Sequence, residues 1–369
     1  MKPNPLIIPI FIPHQGCPHR CTFCNQIAIT KEAQPVKAAT AAATAAGTAA
    51  GTAAGTAAGT AIASHIEAFL GYAGPRRGPV QAAFYGGNFL GLDKAAIKAY
   101  LEGLRPWLAR GRIDGIRFST RPDTITPERL AWIAPYSVDT IEIGVQTMND
   151  AVLSRCRRGH TAADSRRAMA QLKSAGYRTG IQLMLGLPGD SAQSAMDSAR
   201  IVARLKPDLV RIYPTLVLSG SPLAEIFKAG RYRPPTLAEA VAQAKALLRL
   251  FHRNQIKVIR MGLQAADGLS DPAVVLGGPY HPAVGHLVYA SLYRDAARLL
   301  LKRVKPLPEA PILRIRPREL SRLQGLGKEN LATLQNHFKR PRLTFQADDR
   351  LPPETLVCNE RSISIWQPE

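Results

Sequence analysis

The chain has 369 residues, enough to bury a barrel-sized core, alone or with a small appended domain. Lys plus Arg number 48 against 27 Asp plus Glu, a formal net charge of +21. That imbalance suits a polyanionic partner, nucleic acid or an anionic surface, and a basic, arginine-rich proteome would produce it too. Five cysteines in so long a chain exclude a disulfide framework. The uncharged stretch Ala38 to Ser64 is Ala, Thr and Gly, which gain little from lipid, and the apolar start is broken by prolines, so no membrane span or signal peptide is expected. A cytoplasmic protein is the expectation.

In chain order, short β-branched runs alternate with amphipathic helical stretches. The predicted strands are LIIPIFI (6–12), VQAAF (80–84), IDGIRFS (113–119), VDTIEIG (138–144), TGIQLML (179–185) and DLVRIYP (208–214). Between them lie helical patterns such as DKAAIKAYLEGLRPWLA and TAADSRRAMAQLKSAG, the second stopped at Gly176. Such alternation predicts an α/β fold with a parallel sheet, whose active site gathers at the carboxyl ends of the strands. The segment 38–62 repeats Ala-Ala-Gly-Thr with period four. A glycine stripe lets helices approach closely at about 1 kcal/mol per Gly, but a tandem expansion without function of its own is the expected reading. After residue 265 the alternation stops, and residues 266–305 read as a helical connector containing HLVYASLYRDAARLLLKRVK. Residues 306–369 read as a small α+β unit: strand, helix, GLGKEN turn, helix, strand.

The informative motifs follow strands. Cys17, Cys21 and Cys24 form C-x3-C-x2-C after the first. Thiolates suit zinc or iron–sulfur clusters. A structural zinc site wants four closed ligands, and His14 or His19 is available as the fourth. Three thiolates at this spacing suit a [4Fe-4S] cluster better, with the fourth iron left open to chelate S-adenosylmethionine (SAM). After the second strand comes Gly86-Gly87, where backbone without Cβ allows close approach, or simply a tight turn. GGPYHPAVGHL (277–287) fits two roles: closing over the site with an acid or base, or a connecting turn with His281 as a helix cap. Cys156 reads as a buried or incidental thiol.

The cysteine spacing with the glycine pair resembles the radical SAM superfamily. GGNFLGL, STRPD, IEIGVQT, RRGHT, LMLGLPG and RIYPTLVLSGSPLAEIFKAGRY, in this order over residues 5–265, resemble the radical SAM domain of the Elongator catalytic subunit and its prokaryotic relatives. The resemblance implies a partial (β/α)6 TIM-like barrel over 1–265. It implies an enzyme that cleaves SAM to a 5′-deoxyadenosyl radical, acts on transfer RNA, and takes electrons from a one-electron reductant such as flavodoxin or ferredoxin. Cys17, Cys21 and Cys24 would hold the cluster. Gly86, Gly87, Thr120 and Pro188 would bind SAM, and Arg121, Glu142, Gln146, Arg158 and His160 would lie near SAM or substrate, Arg158 as a fork for a carboxylate. This chain departs from that subunit in its compact cysteine spacing and in the absence of room for an acetyltransferase domain after residue 265. Arg322 to Gly327 matches an R-x-x-G-x-G acetyl-CoA loop only as a string.

Two other readings stay open: a radical SAM enzyme on a small molecule, and an RNA-binding protein with structural zinc. Gln26 stands where porphyrin-directed relatives carry a fourth cysteine and argues against that branch. The C-terminal unit resembles a degenerate KH-type RNA-binding module, with Gly327 and Asn330 at the loop-glycine positions.

Overall fold

The computed structural model describes residues 5–12, 15–25, 62–71, 78–263 and 268–367. The Ala-Gly-Thr repeat, His14 and Gln26 lie outside them. The six expected strands form as β1 (Leu6–Phe11), β2 (Val80–Tyr85), β3 (Gly115–Thr120), β4 (Val138–Gln146), β5 (Arg178–Leu185) and β6 (Leu209–Pro214). They pair in parallel in sequence order, and a seventh strand follows β6 at the edge. Two-residue β7 (Val217–Leu218) lies outside this sheet, and the seventh strand is β8 (Lys257–Met261). The sequence pattern misses β8 because it is short and carries Lys257 and Arg260, as an edge strand tolerates.

Side-chain alternation divides the sheet into two unlike faces. Ile8, Ile10, Ala82, Phe84, Ile116, Phe118, Ile141, Ile143, Ile181, Leu183, Val210 and Ile212 are buried on one side. They share a core with helix residues Ile97, Tyr100, Met169, Leu172, Val202, Leu247 and Phe251. Each fully buried Val, Ile, Leu, Met or Phe among them contributes about 1.5–3 kcal/mol through removal from water. The opposite face carries Gln81, Tyr85, Arg117, Glu142, Arg211 and Tyr213, joined to one another by hydrogen bonds and an ion pair, and Gln182, whose amide donates to Gln146. The apolar face therefore makes the fold, and the polar face and the strand ends are left for chemistry.

Helix ends follow local sequence. Lys94–Glu102 is capped by the Asp93 carboxylate, which accepts from Ala96 N. The helical pattern predicted to run on through Ala109 breaks after Glu102 and resumes as Arg105–Ala109, with Pro106 in its first turn. Ala162–Ser174 starts on a reciprocal capping box between Thr161 and Asp164.

Helix Val284–Arg303 leads into the C-terminal unit, where β10 (Ile312–Ile315), two short helices and β11 (Thr344–Ala347) appear as expected. A further hairpin, β12 (Thr355–Cys358) and β13 (Arg361–Ser364), completes a sheet ordered β11-β10-β12-β13. Leu313, Ile315, Leu323, Leu334, Leu356 and Ile363 join the main core. The Trp366 ring stacks on His252 of helix Leu237–Arg253 at 3.6 Å between centroids. Asn330, expected in a left-handed loop position, lies in helix Glu329–Phe338, and its amide donates to the carbonyls of Ala290 and Leu323. The positive φ angles of that turn fall on Gly325, Gly327 and Lys328.

Candidate active site at the carboxyl ends of the strands

The three cysteines lie on the loop that leaves β1. Cys17 is exposed, Cys24 half-buried and Cys21 buried. The loop is held from both sides. Thr22 N donates to Cys156 O (3.0 Å), and its hydroxyl donates to Arg155 O (3.2 Å), at the end of helix Asp150–Arg155. On the other side Leu223 N donates to Thr22 O (2.8 Å) and the Asn25 amide to Ser219 O (2.6 Å). Phe23 fills the gap between, packing against Cys156 and Leu187 and against Leu223 and Ala224. Thus the Arg155–Cys156 turn just before RRGHT and the SGSPL part of the β6-following motif are both walls of the cysteine loop.

Asn88 is the joint below it. Fully buried, it donates from its amide to Gly16 O (2.7 Å), next to Cys17. Its carbonyl oxygen accepts from the Thr120 hydroxyl (2.7 Å), the Arg121 backbone (2.9 Å) and the Thr124 hydroxyl (3.0 Å). Thr120 also accepts from Leu90 N (3.1 Å), so this predicted SAM contact is engaged within the protein. Gly87 is required by a similar closeness: a Cβ there would meet Ile12 O at 2.5 Å and Gln15 O at 2.7 Å. Its neighbour Gly86 sits at φ +85°, where side chains are strained.

Arg158 and Arg121 converge on Cys21. Arg158 Nη1 donates to Cys21 Sγ at 3.1 Å, Nη2 donates to Gly144 O at 2.7 Å, and the guanidinium lies over the Phe23 ring at 5.9 Å. Arg121 Nη1 stands 3.9 Å from the same sulfur, and its Nη2 donates to Arg158 O. Arg121 is paired with Asp123, Nε to Oδ1 at 3.0 Å and Nη2 to Oδ2 at 3.1 Å. Among the described residues no carboxylate lies against Arg158. His160 is buried, its Nδ1 4.0 Å from Asp123. Burial first, then the charges of Arg158 and Arg121, hold its pKa down to about 4 against the opposing pull of Asp123, so the imidazole is neutral at physiological pH. The protein around the exposed Cys17, and then Cys21, raise the pKa of its thiol, and burial raises Cys156 to about 12, which makes the latter an inert core thiol.

Glu142 lies on the polar sheet face. Its carboxylate meets Arg117 Nη2 (2.9 Å), Arg211 Nε and Nη2 (the latter 3.1 Å) and the Tyr85 hydroxyl (2.9 Å). Burial pushes its pKa up, but Arg211 and then Arg117 outweigh this and hold it below the ordinary carboxylate value. Gly180 on β5 leaves the room: a Cβ there would meet Glu142 Cγ at 2.9 Å. Gln146 accepts from the Gln182 amide at 3.1 Å and takes φ +69° where the β4–β5 register shifts. Pro188 is half-buried in the turn after β5.

Sequence reasoning missed Asn88, Phe23, Asp123, Arg117 and Arg211. Asn88 and Asp123 sit inside motifs it did single out, while Arg117 and Arg211 are inward positions of strands, visible only as charges breaking an apolar run. His281 Nδ1 accepts from Ala283 N (3.0 Å) just before helix Val284–Arg303, whose N-cap Ala283 has no side-chain cap bond. Arg322 of the R-x-x-G-x-G string lies over the Tyr289 ring at 4.4 Å, a packing role.

As to a metal, among the described residues no three His, Cys, Asp or Glu side chains are placed to hold one ion. The donor set fits an iron–sulfur cluster on other grounds. Three thiols share one short loop that both walls fix, and the Cys21 sulfur accepts from Arg158 Nη1 with Arg121 Nη1 nearby.

The sequence profile of the radical SAM superfamily matches residues 11–202, and that of the radical SAM C-terminal domain matches residues 207–294. A tRNA uridine(34) acetyltransferase of Methanocaldococcus infernus is 28% identical over 196 residues, 52% of this chain and 35% of that protein. Mouse Elongator complex protein 3 is 32% identical over 140 residues, 36% of this chain and 26% of that protein. The chain thus spans about a third or less of these relatives. The solved structure of the M. infernus Elp3 with an N-terminal deletion is similar in fold, with TM-score 0.54, 22% identity, and 68% of this chain and 65% of that one covered. The parallel sheet is a partial barrel of the same type.

Proposed function

This chain belongs to the radical SAM superfamily, and we propose on that premise that it is a radical SAM enzyme acting on RNA, transfer RNA foremost. Cys17, Cys21 and Cys24 would hold a [4Fe-4S] cluster. When bound, that cluster supplies one electron to the sulfonium of SAM, whose cleavage yields a 5′-deoxyadenosyl radical. The reading rests above all on Cys21, buried between two guanidiniums on a loop fixed at both ends.

The chain's own residues divide the remaining work. Gly87 lets the strand end pack against Ile12 and Gln15 beside the cysteine loop, and with Gly86 it would offer backbone to the SAM amino group. Glu142, anchored by two arginines and a tyrosine, holds the polar floor rigid and ionised, so it positions rather than shuttles protons. His160, buried and neutral, stands beside the two guanidiniums as a shape-filling group. A reducing cytoplasm and a flavodoxin- or ferredoxin-type donor fit such a site. The net charge of +21 and the tRNA-directed names of the relatives support the RNA substrate.

Anaerobic reconstitution with iron and sulfide should give a protein that converts SAM to 5′-deoxyadenosine under strong reductant. A protein loaded with iron that leaves SAM intact would refute the catalytic reading, and zinc alone after anaerobic purification would favour a structural site. Transfer RNA binding should weaken steeply with salt, as counterion release requires; binding indifferent to salt would remove the case for RNA.

A further inference from the structure

We propose that Arg158 is the residue that sets how readily the cluster accepts its electron, acting through the sulfur of Cys21. This rests on the cluster assignment above. The Arg158 guanidinium is fixed at three points: Cys21 Sγ at 3.1 Å, Gly144 O at 2.7 Å and the Phe23 ring at 5.9 Å. It is buried, and among the described residues it faces no carboxylate. Its positive charge therefore reaches the sulfur with no described carboxylate beside it to offset it. Arg121 stands at 3.9 Å from the same atom, but Asp123 offsets its charge through two close contacts. Two arginines of similar burial thus have unequal leverage.

The step concerned is uptake of one electron by a [4Fe-4S]2+ centre from a one-electron donor, with no proton moved and no bond broken. The reduced form carries one more negative charge. A positive charge and an N–H donor on a ligating sulfur stabilise that form more than the oxidised one and raise the potential. Charge-assisted hydrogen bonds differ from none by enough to shift such an equilibrium about tenfold, or about 59 mV for a one-electron couple.

The test is potentiometric titration of the reconstituted full chain, read by the cluster's visible absorption and electron paramagnetic resonance, with iron content measured first. Arg158→Gln should make one-electron reduction about tenfold less favourable. Arg158→Lys, which keeps the charge but loses the fork, should fall between it and the parent. Arg121→Gln should move the potential less than Arg158→Gln, and Asp123→Asn, which frees the charge of Arg121, should move it upward. An Arg158→Gln protein with full iron and an unchanged potential overturns the inference. Should that variant lose its cluster, the Asp123→Asn protein decides, and an unshifted potential there overturns it equally. A parent chain that takes up no iron overturns the cluster assignment itself and this inference with it.

Discussion

Asn88 shows how much a single buried amide can organise. It bonds to the residue before Cys17 on one side and to Thr120, Arg121 and Thr124 on the other, so the cysteine loop and the STRPD loop share one anchor. Asn88→Ala removes this shared partner from Gly16 O, Arg121 N and the two threonine hydroxyls, at about 2 kcal/mol, and urea denaturation should show that loss. Glu142 is the charged counterpart. Glu142→Ala strands Arg117 and Arg211 on the sheet face and should cost about 3 kcal/mol, measured the same way. Because its folded pKa is depressed, Glu142 contributes stability that is complete above the ordinary carboxylate value of 4.5 and is lost as pH falls through the lower folded value. A Glu142→Gln protein should therefore have a flatter acid limb in a stability–pH profile than the parent.

At the scale of elements, the strands place polar side chains on one face and apolar ones on the other, and small residues decide whether the polar groups fit. Gly180 on β5 lies beside Glu142 on β4, so Gly180→Ala drives a methyl against the Glu142 stem and Leu209. The expected cost is about 1–3 kcal/mol, and a crystal structure of the variant should show Glu142 displaced from Arg211. The elements that begin on strong local signals were legible in the sequence: the capping box at Thr161 and the β-branched runs β1 to β6. Those that depend on neighbours were not. The edge strand β8 is short and charged, β7 and β9 (Val275–Gly277) pair over two or three residues only, and the β12–β13 hairpin takes its stability from the helix beneath it.

At the scale of the molecule, the barrel and the C-terminal unit share one core, closed by the stack of Trp366 on His252 and by the Trp366 Nε1 bond to Glu354 at 2.7 Å. Trp366→Ala should lower stability by about 1 kcal/mol in thermal unfolding, as a single transition, because the described core residues of the unit belong to the core of the barrel. Among the described residues no helix is long and apolar enough to cross a membrane.

The sequence by itself determined the family, the three thiols and the order of the main strands, since spacing and alternation are properties of the chain alone. It also pointed to Arg121, Glu142 and Arg158 as important, but with no means of telling their partners. Only the tertiary structure decided that Arg158 meets a sulfur 137 residues away. Only it showed that Glu142 is locked between arginines from β3 and β6, and that Thr120 serves Asn88. Charge and hydrogen bonding act over a few ångströms in space, and the curl of the sheet, not the distance along the chain, sets which groups come that near.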